Sequence, residues 1–298
     1  MKLTGLHLLL TLRCTLACDH CFVWGSPQQT AAMTCTDVQR ILAEAVDAGG
    51  IQWIHFEGGE PFLHPDLLLA GVREASRLGF QAGIVTNCFW AVDLESARNA
   101  LRPFAGALNR LSVSVDAMHW DDDFHRRAEA VTMAAQELGI PVSPLDVARP
   151  ATACAPAGPD ELPPAESSIM YRGRAAVRLA PFAARHAWER YTACPHENLR
   201  EPARVHVDPY GNLHICQGIV IGNLFRTPLR EIQAACAVER HPITGPLVEG
   251  GPAELIRRYN PPHDAGYVDA CHACYEARRA LRGRFPAVLV PDEMYGAF

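Results

Sequence analysis

Three cysteines near the N-terminus, Cys14, Cys18 and Cys21, lie in the run Arg-Cys-Thr-Leu-Ala-Cys-Asp-His-Cys-Phe, directly after the apolar stretch Leu6 to Leu12. The spacing is C-x3-C-x2-C. Three thiolates from one short loop can hold three corners of a 4Fe–4S cluster, and this loop offers no fourth. One iron is then left open to a non-protein ligand, whereas structural clusters and structural zinc sites are normally closed by four protein ligands. The spacing alone also fits a fragment of a zinc site. A second group follows far downstream. Cys271-His272-Ala273-Cys274 is a C-x2-C pair that places two sulfurs on one metal or cluster, and Cys194 and Cys216 can complete four ligands. Zinc satisfies that count as well as a cluster does.

These residues must be carried by something. Val38, Ile41, Leu42, Ala45 and Val46 mark a helical face behind a capping box at Thr34-Cys35-Thr36-Asp37, and Gly49-Gly50 ends it. A strand, Ile51 to Phe56, comes next and runs into Glu57-Gly58-Gly59-Glu60-Pro61. In a parallel barrel that run would sit at the catalytic C-terminal edge, although a strand-ending Gly-Gly can also be a simple turn. Helix from His64-Pro65-Asp66 through Leu78, strand Phe80 to Val85, helix Asp93 to Leu101, strand Leu111 to Val115, helix Asp121 to Leu138 and strand Ile140 to Val147 continue the alternation. Strands alternating with helices indicate βα units around a parallel sheet. The Gly-x-Gly-x-x-Gly turn of a dinucleotide-binding fold is absent. Arg149 to Ser168 is dense in Pro, Ala and Gly and reads as a loop or lid, and Ala175 to Leu179 reads as a sixth strand. Past residue 190, Arg204 to Cys216 is a hairpin pattern around Gly211-Asn212, and Tyr275 to Leu281 is a helix.

Composition bounds the class. The 298 residues suffice for one large or two small domains, and the net charge of −6 provides no basic excess to neutralise phosphates, which argues against nucleic acid as partner. Asp121-Asp122-Asp123 reads as a solvated helix start. Eleven cysteines, an odd count, fit metal or cluster ligation in a reducing, cytoplasmic compartment better than full disulfide pairing. Leu6 to Leu12 followed by Cys14 mimics a lipoprotein signal, but Arg13 stands where a small residue is required. No segment approaches the 18 apolar residues of a membrane span.

The cysteine triplet and the Gly-Gly-Glu-Pro run about 35 residues further on together resemble the radical S-adenosylmethionine (SAM) superfamily. The resemblance implies a partial, open (β/α)6 TIM-like barrel over residues 1–185. It also implies a 4Fe–4S cluster on Cys14, Cys18 and Cys21, whose open iron chelates the amino and carboxylate groups of SAM. Residues 186–298 resemble the small hairpin-plus-helix Twitch module of the SPASM/Twitch enzymes. There Cys194, Gly211-x4-Cys216 and Cys271-x2-Cys274 would hold one auxiliary 4Fe–4S cluster. The interval from Cys194 to Gly211 is longer than the usual pattern, so Cys194 is the least secure of the four ligands.

The same resemblance places His20 near adenine, Gly58, Gly59 and Glu60 against the methionine amino group, and Asn87 at the family's Thr-Asn-Gly strand end. Here Cys88 replaces that glycine; it reads as an acid or hydrogen-atom donor, or as small buried filler. Ser112, Ser114 and Asp116 fall on one side of their strand, facing either the lumen with its cofactor or solvent. His119 and His125 are candidate substrate-side bases or surface residues, and Cys154 either closes over substrate or is incidental. Cys35 and Cys236 read as structural residues in helices.

The function expected is a radical SAM oxidoreductase that cleaves SAM to a 5′-deoxyadenosyl radical and oxidises or cross-links a ribosomal peptide. Dehydrogenation of a small alcohol or amino-sugar is the alternative, and a non-catalytic cluster- or zinc-binding interaction protein is the rival from another class. An electron donor such as flavodoxin or ferredoxin is expected. Because the triplet begins at residue 14, a leader-peptide-binding domain would have to be a separate protein.

Overall fold

The computed structural model describes residues 1–116, 122–147, 166–167 and 169–298. His119, Cys154 and nearly all of the Pro/Ala-rich stretch from Arg149 lie outside the described residues.

Six strands follow one another in chain order across a parallel sheet: β1 (Gly5–Thr11), β2 (Trp53–Gly58), β3 (Gln81–Thr86), β4 (Arg110–Ser114), β5 (Val142–Val147) and β6 (Glu166–Ser167). Helices α1 (Cys35–Ala48), α2 (Pro65–Arg77), α3 (Leu94–Leu101) and α4 (Asp122–Glu137) occupy the connections between the first five. This is the partial (β/α) barrel expected from the alternation. The strands alternate faces for a physical reason. Leu6, Leu8 and Leu10 of β1, Ile54 and Phe56 of β2, Ala82 and Ile84 of β3 and Leu111 and Val113 of β4 form one buried core with the apolar stripes of the helices. Burial of each large aliphatic side chain contributes about 1.5–3 kcal/mol, and the core fixes which residues turn the other way. Those are His7, Leu9 and Thr11 on β1, and Trp53, His55 and Glu57 on β2. The capping box at Thr34 forms as expected, with Thr34 and Asp37 satisfying each other's backbone N–H.

The sixth strand differs from expectation. Ala175 to Leu179 is helical, as α5 (Arg174–Arg178), and Glu166–Ser167 pairs with β5 instead. The short run Ala-Ala-Val-Arg-Leu carries no decisive period, and it coils because Gly173, at φ 61°, turns the chain into a helix whose Ala175 and Ala176 are buried.

Beyond residue 185 come β7 (His186–Ala187), β8 (Arg204–Val207), β9 (Asn212–Cys216), β10 (Ile219–Asn223), α6 (Leu229–Ala235), α7 (Thr244–Tyr259, broken by non-helical backbone at Gly250 and Gly251), β11 (Gly266–Tyr267) and α8 (Ala270–Leu281). The hairpin β8–β9 forms around Asp208 to Gly211, and β8 pairs in parallel with β1. The sheet therefore runs without interruption as β10-β9-β8-β1-β2-β3-β4-β5-β6. The helix expected from Tyr275 begins five residues earlier, so both Cys271 and Cys274 ride on its first turns. Cys236 lies just past the end of α6 in extended backbone, and Cys35 is the exposed first residue of α1. A second core joins Leu9, Leu12 and Val23 to Ile215, Ile219, Leu255, Ile256, Tyr275 and Leu281, so the N-terminal cysteine loop packs on the C-terminal elements. None of the described helices is long and apolar enough to cross a membrane.

Candidate active site

β1 ends at Thr11 and delivers Cys14, Cys18 and Cys21 to a loop over the C-terminal edge of the sheet. The loop is held by β2. Gly59 N–H donates to Thr11 O at 2.7 Å and Glu60 N–H to Arg13 O at 2.8 Å. Contact is so close that a Cβ on Gly58 (φ 147°) would stand 2.3 Å from Thr11 O, and one on Gly59 2.0 Å from Arg13 O. Backbone atoms cannot yield there, which is why both positions are glycine. Glu60 is fully buried. Its Oε1 accepts from Thr86 Oγ1 and the Phe62 N–H, and its Oε2 accepts from Asn87 N–H at 2.7 Å. Asn87 Nδ2 reaches Cys14 Sγ at 3.5 Å and Thr15 Oγ1 at 3.1 Å. His20 Nε2 lies 3.9 Å from a carboxylate oxygen of buried Asp116, which also bears on Cys18. The Gly-Gly-Glu-Pro run, Asn87, His20, Asp116 and the three cysteines thus converge.

The donor chemistry fits a cluster. Burial above all, then the neighbouring Glu60 and Cys21 charges, push the Cys14 thiol up to about 12; burial and the other two cysteines raise Cys18 further. Three sulfurs so close repel as thiolates unless a cation neutralises them, and a bound metal deprotonates a coordinating thiol outright. N–H groups already point at the sulfurs: Gly25 N–H at Cys21 Sγ (3.2 Å) and Leu16 N–H at Cys14 Sγ (3.5 Å). All ten cysteines among the described residues are free.

The second group also assembles. Cys194, Cys216, Cys271 and Cys274 line one pocket together with Arg172 and Arg278. Burial is the main force raising each of Cys194, Cys271 and Cys274, the last to about 11. Arg172 Nη1 donates to Cys216 Sγ at 3.3 Å. Arg278, 1% exposed, donates to the carbonyls of Cys274 and Gln217. Burial opposes its charge, and Cys274, Tyr295 and Cys216 more than restore it. A buried guanidinium needs an anionic neighbour, and four thiolates around a metal provide one. His196 and Asp269 also bring donor atoms within 4.8 Å of Cys271.

Other expected residues are more remote. Cys88 is buried in the apolar core at φ 63°, its thiol held well up by burial and Glu60. Ser112 is buried on β4, in register with Val85 and Ser143; Ser114 is partly buried. His125 is exposed on α4.

Two features escaped sequence reasoning. The first is Arg172-Gly173-Arg174, a segment that touches both cysteine groups. Arg172 binds Cys216 and lies 5.3 Å over the Phe22 ring; Gly173 fits against Cys21 O, where a Cβ would stand at 2.6 Å. Arg174 donates to Cys18 O (2.7 Å) and Gly25 O (2.8 Å). The second is a polar layer on the inner face of the sheet, where His206, His7, His55 and Gly83 stand in register on β8, β1, β2 and β3. The signal was available for part of it: His7 is the one ionisable residue in β1.

Residues 8–139 match the family model described as the Radical SAM superfamily. GTP 3′,8-cyclase from Streptomyces coelicolor is 31% identical over 202 residues, covering 63% of this chain and 56% of that protein. PqqA peptide cyclase from Streptomyces rochei is 38% identical over 87 residues, 28% of this chain and 22% of that protein. The putative peptide biosynthesis protein YydG of Bacillus subtilis is 26% identical over 113 residues, 38% of this chain and 34% of that protein. This chain thus matches about half the length of the first and less of the others. Among solved structures, BtrN in complex with AdoMet and 2-DOIA superposes with a TM-score of 0.51 at 16% identity, over 78% of this chain and 83% of that one, a likeness of fold.

Proposed function

We propose that this chain, whose residues 8–139 are a Radical SAM superfamily domain, is an oxidoreductase that acts on a peptide by way of a 5′-deoxyadenosyl radical. Cys14, Cys18 and Cys21 hold the first 4Fe–4S cluster, in a barrel part reaching to about residue 185. When bound, that cluster supplies the electron that splits SAM. Glu60, fixed by Thr86 and the Asn87 N–H, sets the end of β2 against the loop, and Gly58 and Gly59 let the β2 turn pack backbone to backbone on Thr11 and Arg13, beside which the methionine end of SAM would sit. Asn87, His20 and Asp116 bound the same space. Ser112 and Ser114, on the strand leading to Asp116, would meet cofactor or substrate. In the part from residue 186, Cys194, Cys216, Cys271 and Cys274 would hold an auxiliary cluster, which would supply an electron acceptor for the oxidised substrate.

The single observation that carries the reading is the convergence of Cys14, Asn87 and the Glu60 carboxylate at one strand edge, bridged to a four-cysteine pocket by Arg172 to Arg174. The names of two relatives, a peptide cyclase and a peptide biosynthesis protein, support a peptide substrate. A second reading, oxidation of a small polar molecule, is favoured by the longer match to GTP 3′,8-cyclase and by the polar inner layer of the sheet. A flavodoxin or ferredoxin would serve as donor, and a peptide leader would be held by a separate protein.

The test is anaerobic reconstitution followed by SAM and dithionite. Two clusters correspond to about eight irons per chain, and 5′-deoxyadenosine should form. Full iron without 5′-deoxyadenosine would sink the enzymatic reading. About four irons, unchanged by Cys271→Ala, would remove the auxiliary cluster, and stoichiometric zinc in its place would make that site structural.

A further inference from the structure

On the inner face of the sheet, three strands bring one carboxylate and two imidazoles together away from both cysteine groups. His7 on β1 and His206 on β8 are register partners, and Glu57 stands one layer nearer the Gly-Gly-Glu-Pro turn on β2. His7 Nδ1 lies 2.5 Å from Glu57 Oε1, and His206 Nε2 lies 3.8 Å from Glu57 Oε2. One donor atom from each of the three falls within 4.8 Å of the others. The three side chains are 14–16% exposed, so the group is sheltered yet open to the lumen.

Its surroundings hold it in place. The His55 ring stacks on His7 at 4.6 Å and 21°, and Trp53 stacks on His55 in turn. His55 fits only because Gly83 faces it; a Cβ there would stand 2.5 Å from His55 Nδ1. Phe22, the residue after Cys21, meets the His206 ring edge-on at 5.7 Å. Two imidazoles and a carboxylate are donor types that suit a divalent first-row metal, and three protein ligands leave positions open.

We propose that His7, Glu57 and His206 form a binding site for one divalent transition-metal ion, of the zinc or ferrous type, facing the barrel lumen. Its open positions would take a hydroxyl, carboxylate or amine of a molecule bound in the lumen. His55 is a positioning residue that props the His7 ring. The proposal stands independently of the radical reaction, since it concerns three side chains outside both cysteine groups.

The test uses full-length protein reconstituted with both clusters, washed with a mild chelator, and titrated anaerobically with zinc chloride by calorimetry. One zinc per chain is expected in addition to the cluster iron. Glu57→Gln and His206→Gln should each weaken binding by more than about 100-fold, beyond what loss of an outer-shell partner causes. His55→Ala should weaken it by about 10-fold or less. Iron content and the circular dichroism spectrum report that each variant is folded; if one is not, His7→Asn serves in its place. Absence of the extra zinc in the parent protein overturns the site, and so does undiminished binding in a folded Glu57→Gln, His206→Gln double variant. Neither outcome depends on 5′-deoxyadenosine formation.

Discussion

Arg174→Ala tests whether the N-terminal cysteine loop is held in shape by the protein before any cluster binds. The guanidinium is 6% exposed and donates to two loop carbonyls, Cys18 O at 2.7 Å and Gly25 O at 2.8 Å, while lying 5.3 Å over the Trp24 ring. A hydrogen bond from a charged donor is worth about 1.5–3 kcal/mol. Cys18 O also accepts from Cys21 N–H, so its loss falls near the low end, about 1.5 kcal/mol; the Gly25 carbonyl loses more, about 2–3 kcal/mol. The ring contact adds about 1 kcal/mol. Against this, the variant no longer buries a charge, which returns about 1–2 kcal/mol. The net loss is about 2.5–4.5 kcal/mol, and at roughly 2–4 °C per kcal/mol the melting midpoint of the cluster-free chain should fall by about 5–18 °C. Arg174→Lys restores charge but lacks the two-pronged fork, so it should fall between. The assay is thermal unfolding of cluster-free protein, paired with iron content after reconstitution, where Arg174→Ala should load the first site poorly. If Arg174→Ala melts within about 2 °C of the parent and takes up full iron, the loop is shaped by the cluster rather than by this clamp, and the reasoning fails.

Two further outcomes follow from single side chains. His241 accepts the N–H groups of Ile243 and Thr244 at Nδ1 and donates to Val220 O, and burial lowers its pKa below the ordinary 6.5. Its contribution is therefore complete above pH 6.5 and is lost as the pH falls below that value, where the unfolded chain takes up the proton first. Burial depresses His55 to about 4 in the same sense. Urea midpoints of cluster-free protein should drop between pH 7.5 and 5, and His241→Asn should flatten that slope; a midpoint insensitive to pH in the parent would contradict the burial argument. Cys88→Gly relieves a φ of 63° worth about 1–2 kcal/mol while giving up a small buried side chain of comparable value. Its melting midpoint should stay within about 3 °C of the parent with 5′-deoxyadenosine formation intact, whereas loss of formation in a stable variant would make the thiol chemical.

What the sequence disclosed and what it withheld separate along a physical line. Cys14, Cys18 and Cys21 are legible because their geometry is set within one loop, and Gly58-Gly59 because a close backbone approach excludes every other residue type. Helix α1 was legible from its capping box and apolar stripe, since both are local. Ala175 to Leu179 misled because a five-residue run of Ala-Ala-Val-Arg-Leu has no period of its own; Gly173, against Cys21 O, decides the conformation from outside the segment. The same holds more strongly for the group on the inner face. His7 and Glu57 come together because β1 and β2 are neighbours in any barrel of this order. His206 joins them only because β8, after nearly two hundred residues, returns to pair with the free edge of β1. That pairing is fixed by Val205 and Val207 entering the core beside Leu6 and Leu8. Alternation then forces His206 to the opposite face, where Glu57 and His7 wait. The apolar residues of a four-residue strand thus determine which imidazole faces the lumen, and a one-residue slip of β8 would bury His206 in the core and dismantle the group.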